Sequence, residues 1–175
     1  PITNEQQKTV AWCLALPFLR SSEITGLNEQ TTNSQNALAY VHQQLISEAK
    51  QRKTDDQALI LMSHAHMQGS ETSESERPII IGNEEALSTA LFDDVIDYVA
   101  LGHLHKPQKV GQAHIRYSGS PLPLSFSEIN YKHQIIEVTI DPIQTDESRF
   151  TFEPIYIPRP SKLHKIAGEL TDVLA

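Results

Sequence analysis

The order of apolar runs along the chain constrains its fold more than any other feature. Residues 9–16 form a continuous apolar run that stops at Pro17, and residues 58–62 form a second one. Between these runs, Ser34 can cap a helix that extends to about Lys53. The apolar face of this helix would contain Ala37, Leu38, Val41, Leu45 and Ala49. A helix between two buried strands predicts an α/β protein with parallel strands.

Two neighbouring strands are each followed by a pair of histidines. The apolar run 96–101 leads into Gly102-His103-Leu104-His105, and the run 58–62 leads into Ser63-His64-Ala65-His66. Side chains two apart on an extended segment share a face, and glycine permits a sharp turn. Ligands of α/β sheets collect beyond the carboxyl ends of the strands. Because imidazole is a common metal ligand, the two histidine pairs predict a metal site. The alternative is that these histidines are ordinary polar residues of loops.

The other histidines and the acidic residues have simpler interpretations. We expect no metal-binding role for His42, His114, His133 and His164. Asn83 is expected to cap a short helix that runs from Glu84 to about Leu91. A solvated helix face is expected to carry Glu84, Glu85, Asp93, Asp94 and Asp97.

The second half of the chain predicts a different kind of sheet. Three further strands are expected at Ile115–Tyr117, Gln134–Ile140 and Phe150–Ile157, and they indicate a second sheet made largely of hairpins. The Ser- and Glu-rich stretch Gln68–Arg77 is typical of a solvated loop. Pro158-Arg159-Pro160 interrupts the chain, so we expect another unit to begin there.

The composition limits the classes of protein. The 175 residues suffice for one ordinary domain, and their net charge of -8 argues against a protein that coats nucleic acid, although a local basic groove stays open. With Cys13 as its single cysteine, the chain cannot form a disulfide framework, which fits a reducing cytoplasm. We expect the side chain of Cys13 to be buried. No apolar stretch reaches the ~18 residues that span a bilayer. The chain does not start with methionine, which suggests a cut fragment.

Two segments resemble a known family. The run 98–108, which contains the Gly-His-Leu-His motif, and the run 115–126 are similar to SbcD, the nuclease subunits of bacterial SbcCD complexes. The segment 16–20 also resembles the one that follows the Asn-His-Asp signature of that family. These subunits are calcineurin-like metallophosphoesterases. The resemblance implies an α/β fold: part of a β-sandwich flanked by helices, whose amino-terminal portion is missing. Residues 1–157 would be the carboxyl-terminal part of the nuclease domain, and residues 158–175 would begin a DNA-capping region.

The resemblance also implies a set of metal ligands. Members of the family hold two metal ions, usually Mn²⁺, with Mg²⁺ as the alternative. His64 would bind the second metal together with His103, and His105 would bind the first metal. His66 stays an alternative to His64, because the family normally has glycine where Ser63 stands and no second histidine.

The other metal-binding motifs of the family are absent from this sequence. It contains no Asp-x-His, no Gly-Asp and no Gly-Asn-His-Asp, and the segment Gly82-Asn83-Glu84-Glu85 lacks the histidine. A bridging carboxylate and the histidine that assists the leaving group would have to come from elsewhere. We therefore expect no catalytic residue in this chain, and no cleavage of DNA by the chain alone.

The activity and the partners follow from the same resemblance. A full-length subunit would hydrolyse DNA phosphodiesters as an exonuclease and endonuclease in replication and recombination. It would be cytoplasmic and would form a homodimer that joins an SbcC-type ATPase in a heterotetramer. Lys106, Lys109 and Arg116 would contact DNA phosphates, unless they belong to a solvated hairpin. Two other functions stay open: a non-enzymatic module with a structural His-bound zinc, and a metallophosphatase for small phosphate esters.

Overall fold

The protein has two sheets and few helices in its computed structural model, which describes residues 1–27, 29, 31–74, 76, 86–92, 94–144, 149–159, 163–166 and 168–169. The larger sheet, here called the central sheet, contains β1 (Ile2–Thr3), β2 (Thr9–Leu16), β3 (Ala58–His64), β4 (Tyr98–Gly102), β5 (Gln108–Val110) and β6 (Gln112–Tyr117). The smaller sheet consists of β7 (Gln134–Ile140) and β8 (Phe150–Tyr156). Within the described residues, the α-helices are α1 (Ser21–Ile24) and α2 (Ser34–Arg52), and short 3₁₀ turns span Thr89–Leu91 and Phe126–Glu128.

The central sheet is mostly parallel. Its strand order is β1-β2-β3-β4-β6-β5, and β2, β3, β4 and β6 run in the same direction. The two outer strands, β1 and β5, are antiparallel to their neighbours. The carboxyl ends of β3 and β4 therefore lie side by side at one edge. This arrangement confirms the predicted α/β class.

The core lies on one face of the central sheet. Leu59, Leu61 and Val99 on this face are fully buried, and they belong to the same apolar cluster as Ile46 and Ala49 of α2. Side chains alternate between the two faces of a strand, so the neighbours of these residues point the other way. Met62, for example, is 49% exposed. Only one face of the inner strands is thus fully covered.

Helix α2 begins at Ser34, so its N-cap lies one residue earlier than expected. The side chain of Asn33 accepts a hydrogen bond from the backbone N–H of Asn36 at 2.8 Å, so Asn33 rather than Ser34 is the N-cap. The buried face is also rotated relative to the prediction. His42 and Ile46 are buried on it, while three of the expected apolar residues are only half-buried: Leu38, Val41 and Leu45.

His42 is a core residue of α2. One ring nitrogen, Nδ1, lies 2.7 Å from the carbonyl oxygen of Leu38, and the other, Nε2, lies 2.8 Å from the hydroxyl of Ser63. Burial lowers the pKa of His42, and the bond to Leu38 opposes this shift. Helix α2 is therefore joined to the end of β3 by a buried polar contact.

The predicted second sheet is smaller than expected. Residues 115–117 do form a strand, but β6 pairs with β4 and β5 in the central sheet, so their assignment to the second sheet was wrong. The strand Gln134–Ile140 is confirmed, and β8 ends at Tyr156, one residue before its expected end. In the described part of the chain, β7 and β8 alone make up the second sheet.

The acidic segment before β4 also differs from its prediction. Glu84, Glu85, Asp93 and the expected cap Asn83, with the segment 82–85, lie outside the described residues. The described residues 86–88 are not helical, and a 3₁₀ turn capped by Ser88 starts at Thr89. Asp94 is exposed.

Asp97 is buried, so its placement on a solvated face was wrong. One carboxylate oxygen accepts the backbone N–H of Leu59 at 2.7 Å, and the other is paired with Arg149. A buried carboxylate requires partners of this kind, and these two lie far away in the sequence.

Three smaller expectations can be compared with the structure. Cys13 is half-buried in β2 rather than buried. Among the described residues, no helix is both long and apolar enough to cross a bilayer. Those of residues 158–175 that are described lie outside helices and strands, and the domain boundary after residue 157 stays a prediction.

Candidate metal centre

The ends of β3 and β4 bring three imidazole rings together. The parallel register places His64 directly opposite Gly102. The ring centroids of His64 and His103 are 5.4 Å apart, and those of His66 and His103 are 6.2 Å apart. Both candidates for the single-histidine position, His64 and His66, therefore lie next to His103. The choice between them stays open.

Gly102 makes room for the ring of His64. A Cβ atom at this glycine would lie 3.2 Å from Nδ1 of His64, which is closer than ordinary van der Waals contact. The unusual backbone angle falls on the next residue, since φ of His103 is +112°. Few residues other than glycine adopt a positive φ, and such strain tends to occur at functional sites. The glycine thus provides space, and the expected sharp turn is made by His103.

Burial keeps the rings of His64 and His103 neutral. It lowers the pKa of His103 to about 4, with smaller contributions from His64 and His66, while Glu76 acts in the opposite direction. Burial also lowers the pKa of His64. A neutral imidazole has a lone pair on one ring nitrogen, and only this form can bind a metal. At neutral pH, His64 and His103 are therefore in the form that binds metals.

His105 is held differently from His64 and His103. Its ring Nδ1 lies 2.8 Å from Oε1 of Glu128, a carboxylate with no exposed surface. Its backbone N–H donates to Oε1 of Glu76 at 2.7 Å. Sequence reasoning missed both carboxylates, and the only available signal for Glu128 was its position just after the run 115–126.

The turn after His105 packs against Gly119. This glycine has φ of +85°, and a Cβ atom there would lie 2.6 Å from the carbonyl oxygen of His105. The same carbonyl accepts the backbone N–H of Ser120 at 3.0 Å. Because no side chain fits between the two segments, the Ser-Gly-Ser stretch supports the backbone of His105 directly.

The described residues contain only part of what a metal site needs. No group of three or more His, Cys, Asp or Glu side chains among them has an arrangement that could hold a metal ion. The rings of His64 and His103 are adjacent, and that of His105 is bonded to Glu128. The assignment of His64, His103 and His105 as ligands stays a prediction.

An open depression lies beside this cluster, at the carboxyl edge of the central sheet. Its volume is about 410 Å³, and His64 and Gly102 line one side of it. The rest of its wall is mainly apolar and is formed by Ala15, Leu16, Pro17, Met62, Ser63, Ala100 and Leu101.

Of the three basic residues predicted to bind DNA, two line a second groove and the third, Lys109, lies beside it. Lys106 forms an ion pair with Glu71, and the guanidinium of Arg116 lies 3.7 Å from the ring centroid of Phe152. Lys109 is exposed and stands opposite Arg116 in the register of β5 and β6. Lys106 and Arg116 line a groove of about 310 Å³ together with Pro107, Gln108, Asn130, Tyr131, Lys132, Gln134 and Tyr156.

Comparison with known proteins relates the chain to a nuclease subunit. No protein-family model matches the sequence. The chain is 36% identical over 140 residues to the SbcD subunit of the SbcCD nuclease of Rhodobacter capsulatus. The match covers 77% of this chain and 35% of the relative, so the chain spans about a third of the length of the curated relative that it matches.

Proposed function

We propose, on the premise that this chain is an SbcD-like sequence, that it supplies the histidine side of the metal centre of a DNA nuclease subunit. The observation that carries the proposal is the contact between the rings of His64 and His103 at the carboxyl edge of a parallel sheet. Sites of α/β proteins form at this edge, and both rings are neutral there.

The three predicted ligands have distinct roles in this proposal. His64 and His103 would hold one metal ion, and His105 would take part in holding the other; Mn²⁺ is the proposed metal, with Mg²⁺ as the alternative. Neutral imidazole suits such ions, and the ring centroids of His64 and His103 are 5.4 Å apart. When bound, the metals would supply charge neutralisation and Lewis-acid activation for the hydrolysis of a DNA phosphodiester.

Carboxylate ligands would have to come from outside this chain. Hard divalent ions prefer oxygen ligands, and two-metal hydrolases usually contain a bridging carboxylate. The sequence lacks Asp-x-His and Gly-Asn-His-Asp, and no complete set occurs among the described residues. We therefore propose that the chain alone does not cleave DNA.

Basic residues on the β5–β6 hairpin would hold the DNA backbone. Lys109 and Arg116 stand opposite each other and point to the same face, and Lys106 follows His105 directly. Contacts of these cations with phosphates would make binding weaken as the salt concentration rises. The groove that Lys106 and Arg116 line would be the path of the strand near the metal centre.

The assembly is proposed by analogy with the relative. Its name identifies that protein as one subunit of the SbcCD nuclease, and so places it in a complex. We propose that a full-length protein containing this chain pairs with an SbcC-type ATPase as a dimer within a heterotetramer. It would act as an exonuclease and endonuclease in cytoplasmic DNA replication and recombination.

A chimeric subunit tests the proposal. This chain would replace the matching 140-residue region of the Rhodobacter capsulatus protein, and cleavage of linear duplex DNA would be measured with Mn²⁺. We expect the chimera to cleave DNA and the isolated chain to leave it intact. His103→Ala in the chimera should reduce cleavage by about a hundred-fold or more, because the ring at the centre of the cluster is lost.

The matched control is His114→Ala in the same chimera. The ring of His114 contacts that of Phe150, and we predict no role for it at the metal centre. Cleavage should stay close to that of the unmodified chimera. A folded chimera that loses nothing on removal of His103, or Mn²⁺-dependent cleavage by the isolated chain, would contradict the proposal.

A further inference from the structure

We propose that Glu128 is a positioning residue that sets the orientation and the tautomer of His105, so that the ring presents Nε2 rather than Nδ1 for coordination. The metal-binding part of this inference rests on the function proposed above. The part that concerns the proton on the ring can be tested without a metal.

The carboxylate of Glu128 is buried, so it needs hydrogen-bond donors around it. Its carboxylate has no exposed surface, and a buried carboxylate is costly unless hydrogen bonds satisfy its oxygens. Oε2 accepts the backbone N–H of Leu124 at 2.8 Å, and Oε1 accepts the hydroxyl of Ser73 at 3.2 Å. Oε1 also lies 2.8 Å from Nδ1 of His105.

The chemistry of the pair assigns the proton. Both oxygens of Glu128 accept hydrogen bonds from other groups, as those of an ionised carboxylate do, so the ring nitrogen of His105 that faces Oε1 carries a hydrogen and donates it. A neutral imidazole has one N–H, and with this hydrogen on Nδ1 the lone pair lies on Nε2. Histidines that bind metals usually donate their other ring N–H to a carboxylate or a carbonyl in the same manner.

The backbone of His105 is held by other groups, which separates the role of Glu128 from general support. The N–H of His105 donates to Glu76, and its carbonyl oxygen accepts the N–H of Ser120. The close approach of Gly119 constrains the same carbonyl. Glu128, in contrast, reaches the ring, so the effect of its removal should appear first in the ring.

The first experiment measures the ring protonation of His105 by nitrogen NMR. The metal-free 175-residue chain would be studied at about pH 8, above the ordinary histidine pKa. We expect hydrogen on Nδ1 in the unmodified chain. In Glu128→Gln, one amide oxygen cannot replace two carboxylate oxygens, and the NH₂ group can donate to Nδ1. The ratio of the Nε2–H to the Nδ1–H tautomer should rise by about ten-fold or more.

The matched control is Glu76→Gln, which makes the same change in the carboxylate that binds the backbone N–H of His105. It should leave the ring tautomer unchanged. Hydrogen on Nε2 in the unmodified chain would overturn the proposal, and this spectrum decides the matter even where Glu128→Gln fails to fold. An unchanged tautomer in a folded Glu128→Gln chain would overturn it as well.

The second experiment titrates the chimeric subunit with Mn²⁺. Glu128→Gln should weaken Mn²⁺ binding by about ten- to a hundred-fold, while Glu137→Gln on the exposed side of β7 should not. Unchanged Mn²⁺ affinity in Glu128→Gln would overturn the positioning role. If the chimera binds no Mn²⁺ although the tautomer shifts as expected, Glu128 still positions the ring and the proposed metal function fails.

Discussion

The central sheet and the β7–β8 sheet differ in how they are stabilised. In the central sheet, Ile115 on β6 is 1% exposed and belongs to the main apolar cluster. In the smaller sheet, Ile135 on β7 is 54% exposed and stands opposite Ile155, which is also exposed. A sheet of two strands is only marginally stable in water without other packing. The predicted metal ligands lie on the more stable sheet or directly after it, where rigid strands can hold them in place.

A buried polar link connects the two sheets. Arg149, next to the start of β8, pairs with Asp97, which precedes β4. Asp97 also accepts the backbone N–H of Leu59 in β3, so the link reaches the middle of the central sheet. We therefore expect the smaller sheet to depend on this contact more than the central sheet does.

The largest expected effect comes from shortening the same residue type in each sheet. Ile115→Ala should lower the free energy of unfolding by about 2–5 kcal/mol, because it opens a cavity in the core. Ile135→Ala should change it by no more than about 0.5 kcal/mol, because that side chain already contacts water. Urea unfolding followed by circular dichroism measures both values. Equal losses would remove the distinction between the sheets.

A smaller effect is expected from the link itself. Arg149→Met leaves the carboxylate of Asp97 buried without its cation, which should cost about 2–3 kcal/mol; this is less than for a fully buried pair, since Arg149 partly reaches water. Hydrogen exchange should accelerate more in β7 and β8 than in β6. Arg52→Met is the matched control, because its pair with Glu48 is exposed and contributes little. If hydrogen exchange accelerated equally in both sheets, the Asp97–Arg149 pair would not stabilise the smaller sheet preferentially.

The smallest expected effect is a change in how the free energy of unfolding depends on pH, caused by His42 of α2. Burial lowers the pKa of His42, so as the pH falls below about 6.5 the unfolded chain binds a proton before the folded chain does. The contribution of His42 to stability is therefore complete above that pH and declines below it, by at most about 1.4 kcal/mol per pH unit. His42→Gln should reduce the slope of unfolding free energy against pH between 7 and 5, whereas His164→Gln, at an exposed position, should leave it unchanged. The same slope in all three proteins would exclude this role for His42.

Local patterns predicted the elements well. The strands Thr9–Leu16 and Gln134–Ile140 have the expected bounds, and α2 lies within a residue of its prediction. The spacing of apolar residues reflects the geometry of a single strand or helix, so it can be read without knowledge of the partners. Ile115–Tyr117 shows the limit of this approach, because the strand exists but pairs with β4.

The burial of acidic residues was the feature that the sequence predicted least well. Asp97 was expected at the surface and is buried, and Glu128 was not recognised at all. In both cases the deciding partner is distant in sequence: Arg149 for Asp97, and His105 for Glu128. A carboxylate can be buried only where a partner of this kind contacts it, and the local composition does not show which distant residue will do so.

The sequence by itself determined the α/β class, the histidine pairs at two strand ends and the resemblance to SbcD subunits, because these are properties of short segments. Tertiary structure alone decided which rings touch, that Gly102 makes room for His64, and that Glu128 faces His105. These contacts join residues from different strands and turns. They form only when the whole sheet has paired, so no single segment can specify them.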